Sequence, residues 1–324
     1  MNRLSLLKVL PLLPAVLMLS AHTCAQTYPV KTVRIVVPFP AGAGADTTTR
    51  LFTPKLTEAL AQQFIVDNRA GAAGNIGAET VARAAADGYT LLTAPASLAS
   101  SRSLYKNLSF DLARDFEPAA MLASAPFVLA VHPSVPAKSV QELIAFAKSR
   151  PGQLNFASTG IGGVNHLAAE LFKHMAGIDI VHVPYKGTAT AVPDLIGGQV
   201  SMMFTSTLSS LPHVKAGRLR ALAITSAKRS LAAPELPTVA ESGLGGYESS
   251  TWFALLAPAG TPREIVARLN ATIVAIGQTP EIRDRLLSQG AEPLGGTPEQ
   301  VVAFIRSEIE KWGKVVAISG ARAE

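Results

Sequence analysis

The stretch VVPFPAGAGADTTTR, residues 36–50, passes from a β-branched run through a Pro- and Gly-rich turn into a helical pattern. Gly42 and Gly44 allow the backbone to approach a ligand and to adopt positive φ. Asp46 or Thr47 is placed to cap the helix that follows, and the free amides of such a helix start favour an anion. The turn lacks the Lys of a P-loop and the third Gly of a dinucleotide fingerprint. The pattern therefore predicts an anion site of another kind, or a plain strand–helix turn.

A second stretch, NFASTGIGGVNHLAAELF at residues 155–172, repeats the order of strand, glycine turn and helix. Its turn combines two hydroxyl side chains with three glycines: Ser158, Thr159, Gly160, Gly162 and Gly163. Two such turns, each beyond the carboxyl end of a strand, would meet across a cleft. His166 lies on the first turn of the following helix, where it is expected to cap, to pack or to contribute to the cleft.

Strand and helix patterns alternate along the chain, which predicts an α/β protein with parallel-type sheets flanked by helices. Two irregular stretches, residues 118–133 and 233–258, divide the alternation into two series. We predict two lobes joined by two crossover strands, with residues 26–125 plus 248–324 in lobe 1 and residues 126–247 in lobe 2. The last three predicted helices each follow a Thr-Pro pair, with Thr as the N-cap and Pro at the first helical position.

The first 25 residues have the pattern of a signal peptide. A positive start precedes an apolar run at residues 9–20 that is too short to span a membrane, and small residues permit a cut near Ala25. The alternative is lipoprotein processing at Cys24, the chain's single cysteine. After the cut the chain has no disulfide, no thiolate ligand and no cysteine nucleophile. We expect an exported, periplasmic protein.

Composition and motifs argue against several other classes. The formal charge of +6 comes from Lys and Arg residues that are spread singly, whereas nucleic-acid binding needs a clustered basic patch. The histidines have no carboxylate partner at metal-site spacing, so no metal is expected. There is no G-x-S-x-G elbow and no evident pair of carboxylates. The stretch GAAGNIG at residues 71–77 imitates a nucleotide-binding turn but is interpreted as a close-packed helix start.

The chain as a whole resembles the Bug-type (TctC-like) periplasmic solute-binding proteins of tripartite tricarboxylate transporters. The resemblance begins near Tyr28 and rests on IVVPFPAG, DNRAGAAGNIGAE, ADGYTLL, STGIGGVNHLAAELF, VPYKGTATAVPDLIGGQV, PELPTVAESGLGGYE and LLAPAGTP. It implies a two-lobe, type II periplasmic-binding fold (a Venus flytrap) that closes on a small carboxylate. The expected ligands are a di- or tricarboxylate, an aromatic acid or an acidic amino acid.

The resemblance also implies where that ligand binds. One carboxylate is expected between the two glycine turns, held largely by backbone amides and ordered waters. The first turn supplies Phe39, Pro40, Ala41, Gly42, Ala43, Gly44, Asp46 and Thr47, and the second supplies Ser158, Thr159, Gly160, Gly162 and Gly163. The rest of the ligand is expected to contact five more side chains: Thr48, Ser97, Tyr185, Thr205 and Ser206. Ala43, which splits a common Gly-Gly pair, and Gly163, where Ser or Thr is frequent, depart from the family pattern.

The sequence thus favours a binding protein without catalytic residues or a cofactor, which acts as a monomer and delivers a carboxylate to the membrane subunits of a transporter. Two alternatives stay open. The protein could present its ligand to a membrane sensor, or it could be a nucleotide-dependent oxidoreductase that uses GAAGNIG.

Overall fold

The computed structural model describes residues 28–323, so the predicted signal peptide, its cut near Ala25 and Cys24 lie outside the described residues. The strands are β1 (Val33–Val37), β2 (Phe64–Asn68), β3 (Thr90–Pro95), β4 (Phe116–Val131), β5 (Asn155–Ser158), β6 (Val181–Pro184), β7 (Met202–Ser206), β8 (Arg220–Ile224), β9 (Ser250–Pro258) and β10 (Glu292–Gly295). The helices are α1 (Gly44–Leu60), α2 (Asn75–Ala82), α3 (Ser97–Leu104), α4 (Val140–Ser149), α5 (Val164–Ala176), α6 (Thr188–Ile196), α7 (Thr207–Lys215), α8 (Arg263–Gly277), α9 (Pro280–Ser288) and α10 (Pro298–Ser319). Within residues 28–323, no helix is both long enough and apolar enough to cross a membrane.

The strands form two sheets that share the long strand β4. The first runs β2-β1-β3-β9-β4 and the second β4-β7-β5-β6, while β8 and β10 pair with β4 at its two halves. Strands β1–β3 are mutually parallel, and so are β5–β7. The pairs made by β4 and β9 with these groups are antiparallel. Each sheet is therefore mixed, because β9 runs antiparallel to the β1–β3 group and β4 runs antiparallel to the β5–β7 group.

The two connections between the lobes differ from each other. The first is β4, which pairs with β9 as far as Pro126 and with β7 from Phe127 onward. This strand agrees with the apolar run expected at residues 118–133. The second connection was expected at residues 233–258, but only its last part, β9, is a strand. The preceding segment is mostly turns, held by local backbone hydrogen bonds such as Tyr247 N to Leu244 O.

Helices cover both faces of each sheet, so most central strands are buried on both sides. Strand β1 has the sequence VRIVV, and four of its five residues are buried, as a near-continuous β-branched run predicts. Burial of each such side chain stabilises the fold by roughly 1.5–3 kcal/mol. In the first lobe, Glu308 on α10 accepts hydrogen bonds from the indole Nε1 atoms of Trp252 (2.8 Å) and Trp312 (2.9 Å), and it forms an ion pair with Lys311.

Several local predictions need correction. Helix α3 was not expected, because its serine-rich sequence SLASSRSL has weak helix propensity, yet packing buries five of its eight residues. Strand β10 is short, contains a Pro and was also missed. Thr297 and Thr279 are N-caps as predicted. Thr261 is not, because Pro262 occupies the cap position of α8 and the Thr261 hydroxyl donates to Pro258 O instead.

The lobes also touch away from the shared strands. An added Cβ at Gly162, on the turn before α5, would lie 2.8 Å from Cδ1 of Leu104 on α3. On another side, the Thr207 hydroxyl donates to Gly290 O at 3.3 Å. Glu292 on β10 accepts hydrogen bonds from Ser230 Oγ and from Leu231 N (2.9 Å). The two lobes therefore enclose the space between them.

Candidate functional site

A cleft of about 770 Å³ lies between the lobes, at the carboxyl ends of their parallel strands. The first lobe lines it with the turn after β1, with the segment after β3 and with part of β9. The second lobe lines it with the turns after β5, β6 and β7. The sequence predicted this position, since loops at the carboxyl ends of parallel strands form the usual ligand crevice of α/β proteins.

The turn after β1 leads into α1, whose N-cap is Ala43. Thr47, one predicted N-cap, does not hold this position, and neither does the other, Asp46. Its carboxylate instead accepts hydrogen bonds from the Gly42 amide (2.8 Å), from Arg50 Nε (2.9 Å) and from Asn68 Nδ2 (2.9 Å). Gly42 has a φ of +83°, a conformation that strongly favours glycine, and Asp46 fixes this turn through the Gly42 amide.

Charge and burial act on Asp46 in opposite directions. Burial raises the pKa of this carboxyl, but the hydrogen bonds from Arg50, the Gly42 amide and Asn68 together outweigh burial and leave the pKa below its ordinary value. The carboxylate is therefore ionised at neutral pH. It is 2% exposed, which makes it a structural support of the turn rather than a ligand contact.

The first amides of α1 remain free. Within residues 28–323, the amides of Gly44, Ala45 and Asp46 donate to no backbone or side-chain acceptor, as the geometry of a helix start predicts. Ala43, Gly44 and Ala45 line the cleft. Free amides and the positive end of the helix dipole both favour an anion at this position.

The turn after β5 is built differently, because most of its amides are already used. The Gly160 amide donates to Ser158 Oγ at 3.2 Å and the Gly162 amide to Nδ1 of His166 at 3.1 Å. Both the amide and the hydroxyl of Thr159 donate to Oδ1 of Asn165. The free amides nearby, as far as the structure describes the chain, are therefore those of Ile161 and of the first residues of α5.

Ser158 and His166 support this turn from below and do not line the cleft. Both are buried, and His166 stacks on His182 with ring centroids 3.9 Å apart. His182 lies 2.6 Å from Ser158 Oγ through its Nε2 atom. Burial, followed by the neighbouring His166, lowers the pKa of His182 to about 4. The Ser158–His182 pair resembles a nucleophile and its base, but Ser158 is fully buried and no substrate can reach it.

Further helices begin at the same cleft. Ser97 opens α3 and donates to Ala73 O, Gly187 is the N-cap of α6, and Ser206 is the N-cap of α7 and accepts from the Ser209 amide. Together with α1 and α5, these helices direct their positive ends toward one volume. Among the described residues that line it there is no Asp, Glu or His, and Lys186 is the one charged side chain. The site therefore favours a small anion.

The structure brings ten of the predicted site residues to the cleft wall: Phe39, Ala43, Gly44, Ser97, Thr159, Gly160, Gly162, Gly163, Thr205 and Ser206. Nine others do not line it: Pro40, Ala41, Gly42, Asp46, Thr47, Thr48, Ser158, His166 and Tyr185. Thr48 is buried within α1, Thr47 donates to Gly44 O, and the Tyr185 hydroxyl donates to Asp194 Oδ2 on α6 at 2.8 Å. These side chains form the turns and helices behind the wall.

Sequence reasoning missed other lining residues. The main ones are Tyr105, Phe127, Asn165, Lys186, Thr188, Thr251 and Phe253. Lys186 and Thr188 belong to a third strand–turn–helix segment, around Gly187, whose pattern is the same as that of the two turns singled out. Phe127 and Phe253 lie on the crossover strands, and their positions depend on how the lobes face each other.

The nucleotide alternative receives no support from the geometry. An added Cβ at Gly77 would lie 2.7 Å from Cβ of Pro38, so this glycine allows α2 to pack closely against the turn after β1. This confirms the interpretation of GAAGNIG as a close-packed helix start. Within the described range, no three His, Cys, Asp or Glu side chains are grouped to hold a metal ion.

Comparison with known proteins identifies close relatives. The sequence model described as "Tripartite tricarboxylate transporter family receptor" matches residues 48–320. The chain is 39% identical over 324 residues to protein BugT of Bordetella pertussis, with 99% of each chain covered. The structure of Rpa4515 from R. palustris with adipate is 40% identical, with a TM-score of 0.77 over 91% of this chain and 99% of that one.

A second solved structure, MatC from Rhodopseudomonas palustris with bound malate, is 33% identical. Its TM-score is 0.73, and the match covers 89% of this chain and all of MatC. These similarities confirm the predicted two-lobe α/β fold. The relatives are solute-binding receptors and not enzymes.

Proposed function

Because this chain belongs to the TctC family of tripartite tricarboxylate transporter receptors, we propose that it captures a small carboxylate between its two lobes and delivers it to the membrane subunits of such a transporter. The family consists of periplasmic receptors, and the pattern of the first 25 residues agrees with export. The proposed form is a monomer that binds no nucleic acid.

The observation that carries this proposal is the convergence of helix N-termini on a cleft without acidic side chains. The free amides at the start of α1 and the start of α5 come from different lobes. A carboxylate between them would accept hydrogen bonds from both lobes at once, so its binding would hold the lobes together. Gly160, where an added Cβ would meet no atom closer than 3.8 Å, leaves the backbone of the second turn open to such a ligand.

The solved relatives support a carboxylate of moderate size. Rpa4515 was solved with adipate and MatC with malate, which are both dicarboxylates. We propose a ligand of the same chemical class for this chain. Its two ends would be held by different groups: one carboxylate by the amides of α1 and α5, and the other end by Lys186 in the turn after β6.

Calorimetry and thermal unfolding test the proposal directly. The panel contains mono-, di- and tricarboxylates, aromatic acids and acidic amino acids. A true ligand at 100 times its Kd should stabilise the protein by about 2.7 kcal/mol, which raises Tm by several degrees. A panel that produces neither binding heat nor a Tm shift would refute the proposed function.

The position of the carboxylate has its own test at Gly160, whose φ of +134° strains any other residue. Gly160→Asp and Gly160→Asn share this strain, and both have room for a side chain because the nearest atom to an added Cβ is Tyr185 O at 3.8 Å. The two variants differ in charge. We expect the Asp variant to bind the acid at least tenfold more weakly than the Asn variant. Equal affinities would place the carboxylate elsewhere.

A further inference from the structure

The floor of the cleft is formed by the two crossover strands, and each presents a phenyl ring there. Phe253 on β9 lies opposite Ala123 of β4, and Phe127 lies four residues further along β4. At about 3.3 Å per residue the two positions are roughly 13 Å apart along the strand. Ala125 and Thr251 form the pair between them. One phenyl ring belongs to each lobe, so a ligand on this floor would be enclosed by apolar surface from both sides.

The polar side chains of the wall are largely committed to the protein itself. The hydroxyl of Ser97 donates to Ala73 O, and that of Thr159 donates to Asn165 Oδ1. Ser206 Oγ bonds to Ser209. The hydroxyl oxygen of Thr205 has no partner within residues 28–323, but it is buried and closed off from the open space of the cleft.

The remaining polar groups of the lining come from turns and helices and not from the two strands of the floor. Lys186 is exposed, and it precedes Thr188 in the turn after β6, which is the outermost strand of its sheet. Tyr105 follows the far end of α3. Asn165 belongs to the first turn of α5, where the carboxylate is expected. The floor itself therefore offers a bound ligand one uncommitted hydroxyl, that of Thr251.

We propose that the ligand is an acid whose body is an unsubstituted hydrocarbon, either a methylene chain or an aromatic ring, which packs on the Phe127 and Phe253 floor. This inference rests on the proposed function, since it assumes that the carboxylate binds at the helix starts. A hydroxylated body would lose its water here and find few partners. Each hydroxyl buried without a partner weakens binding roughly tenfold or more.

Matched pairs of acids test the inference on the purified full chain by calorimetry. Adipate is compared with galactarate, succinate with tartrate, and benzoate with 3,4,5-trihydroxybenzoate. Within each pair the length and charge are kept and only hydroxyl groups are added. In every pair that binds, we expect the unsubstituted acid to bind at least tenfold more tightly.

The outcomes separate the two proposals. A hydroxylated acid that binds as tightly as its partner, or more tightly, overturns the apolar-body inference while it supports the carboxylate function. Absence of heat with all six acids also overturns the inference. If the wider carboxylate panel also produces neither binding heat nor a Tm shift, the proposed function is refuted as well.

Variants of Phe127 provide a second readout. Its side chain is half-buried, and its backbone is fixed independently by hydrogen bonds to Thr225. Phe127→Asn should weaken binding of the tightest unsubstituted acid at least tenfold, whereas Phe127→Leu should stay within about threefold because it keeps an apolar surface. Leu208→Asn, an exposed position outside the lining, controls for polarity alone. Tm of the unliganded variants verifies folding, and equal affinities of the Asn and Leu variants would contradict the inference.

Discussion

Gly162 lies where the two lobes approach each other, and substitution to Ala should impair ligand binding more than folding. The added Cβ would lie 2.8 Å from Cδ1 and 3.2 Å from Cδ2 of Leu104, which belongs to the opposite lobe. Overpacking of this kind costs typically 1–3 kcal/mol. Separation of the lobes would relieve the clash, so the cost should fall on closure. We expect acids to bind about 5- to 150-fold more weakly.

Gly177 provides the matched control. Its φ of +58° resembles the +76° of Gly162, so Ala at either position carries a similar left-handed strain of about 1–2 kcal/mol. An added Cβ at Gly177, however, meets nothing within 4 Å. Gly177→Ala should therefore lower Tm without a change in affinity. The Gly162 amide that donates to His166 is retained in the Ala variant, so loss of that hydrogen bond cannot explain the effect.

Calorimetry with the tightest acid of the panel measures the affinities, and thermal unfolding without ligand measures the shared strain. Leu104→Val in the Gly162→Ala background removes the clashing atoms and should recover part of the affinity, as a coupled pair predicts. If Gly162→Ala binds within threefold of both the unmodified protein and Gly177→Ala, the contact between Gly162 and Leu104 plays no part in closure.

Three further predictions concern stability, measured by urea unfolding. Asp46→Asn should lower the free energy of unfolding at pH 7 by about 1–3 kcal/mol. In the folded protein the pKa of Asp46 lies below its ordinary value of 3.8. The stability that the ionised carboxylate contributes is therefore present above about pH 4 and is lost as pH falls through the folded-state pKa. If Asp46→Asn lowered the free energy of unfolding equally at pH 7 and pH 3, this reasoning would be contradicted. The pKa of His182 is lowered from 6.5 to about 4 in the folded protein. As pH falls, the unfolded chain therefore takes up the proton first, and the free energy of unfolding should drop between pH 6.5 and 4. The expected drop is on the order of 2 kcal/mol after allowance for the partial exposure of His182. His182→Gln should flatten this dependence of the unfolding free energy on pH, and an unchanged pH dependence would show that His182 is not its cause. Glu308→Leu leaves the indole N–H groups of Trp252 and Trp312 without their acceptor and should cost about 3–5 kcal/mol, whereas Glu308→Gln should cost less; equal losses would show that the indole hydrogen bonds contribute little.

Local sequence patterns predicted much of the fold because they depend on nearby residues. The β-branched run of β1, the glycine turns and the Thr-Pro starts of α9 and α10 are written within a few positions each. The serine-rich helix α3 was missed for the opposite reason: its stability comes from packing against distant elements such as α10. The lobe boundaries near residues 125 and 247 stay a prediction.

The candidate site shows the same division. Sequence located both glycine turns, since a turn and the helix after it are local features. The sequence could not show which backbone amides of those turns lack a hydrogen-bond acceptor within the protein. Only the folded chain reveals that the Gly42 amide donates to Asp46 and that the Gly162 amide donates to His166. The amides that remain free are those of the helix starts, where we propose that the anion binds.

The sequence by itself determined the two-lobe α/β class, the two turns and the absence of catalytic motifs, because strand and helix periodicity, glycine spacing and residue chemistry are properties of short segments. The tertiary structure decided which residues meet across the cleft. Phe127 and Phe253 come from strands more than a hundred residues apart, and they share a floor because β4 runs through both sheets and β9 pairs beside it. Such a surface depends on pairing between distant strands, which a local pattern does not encode.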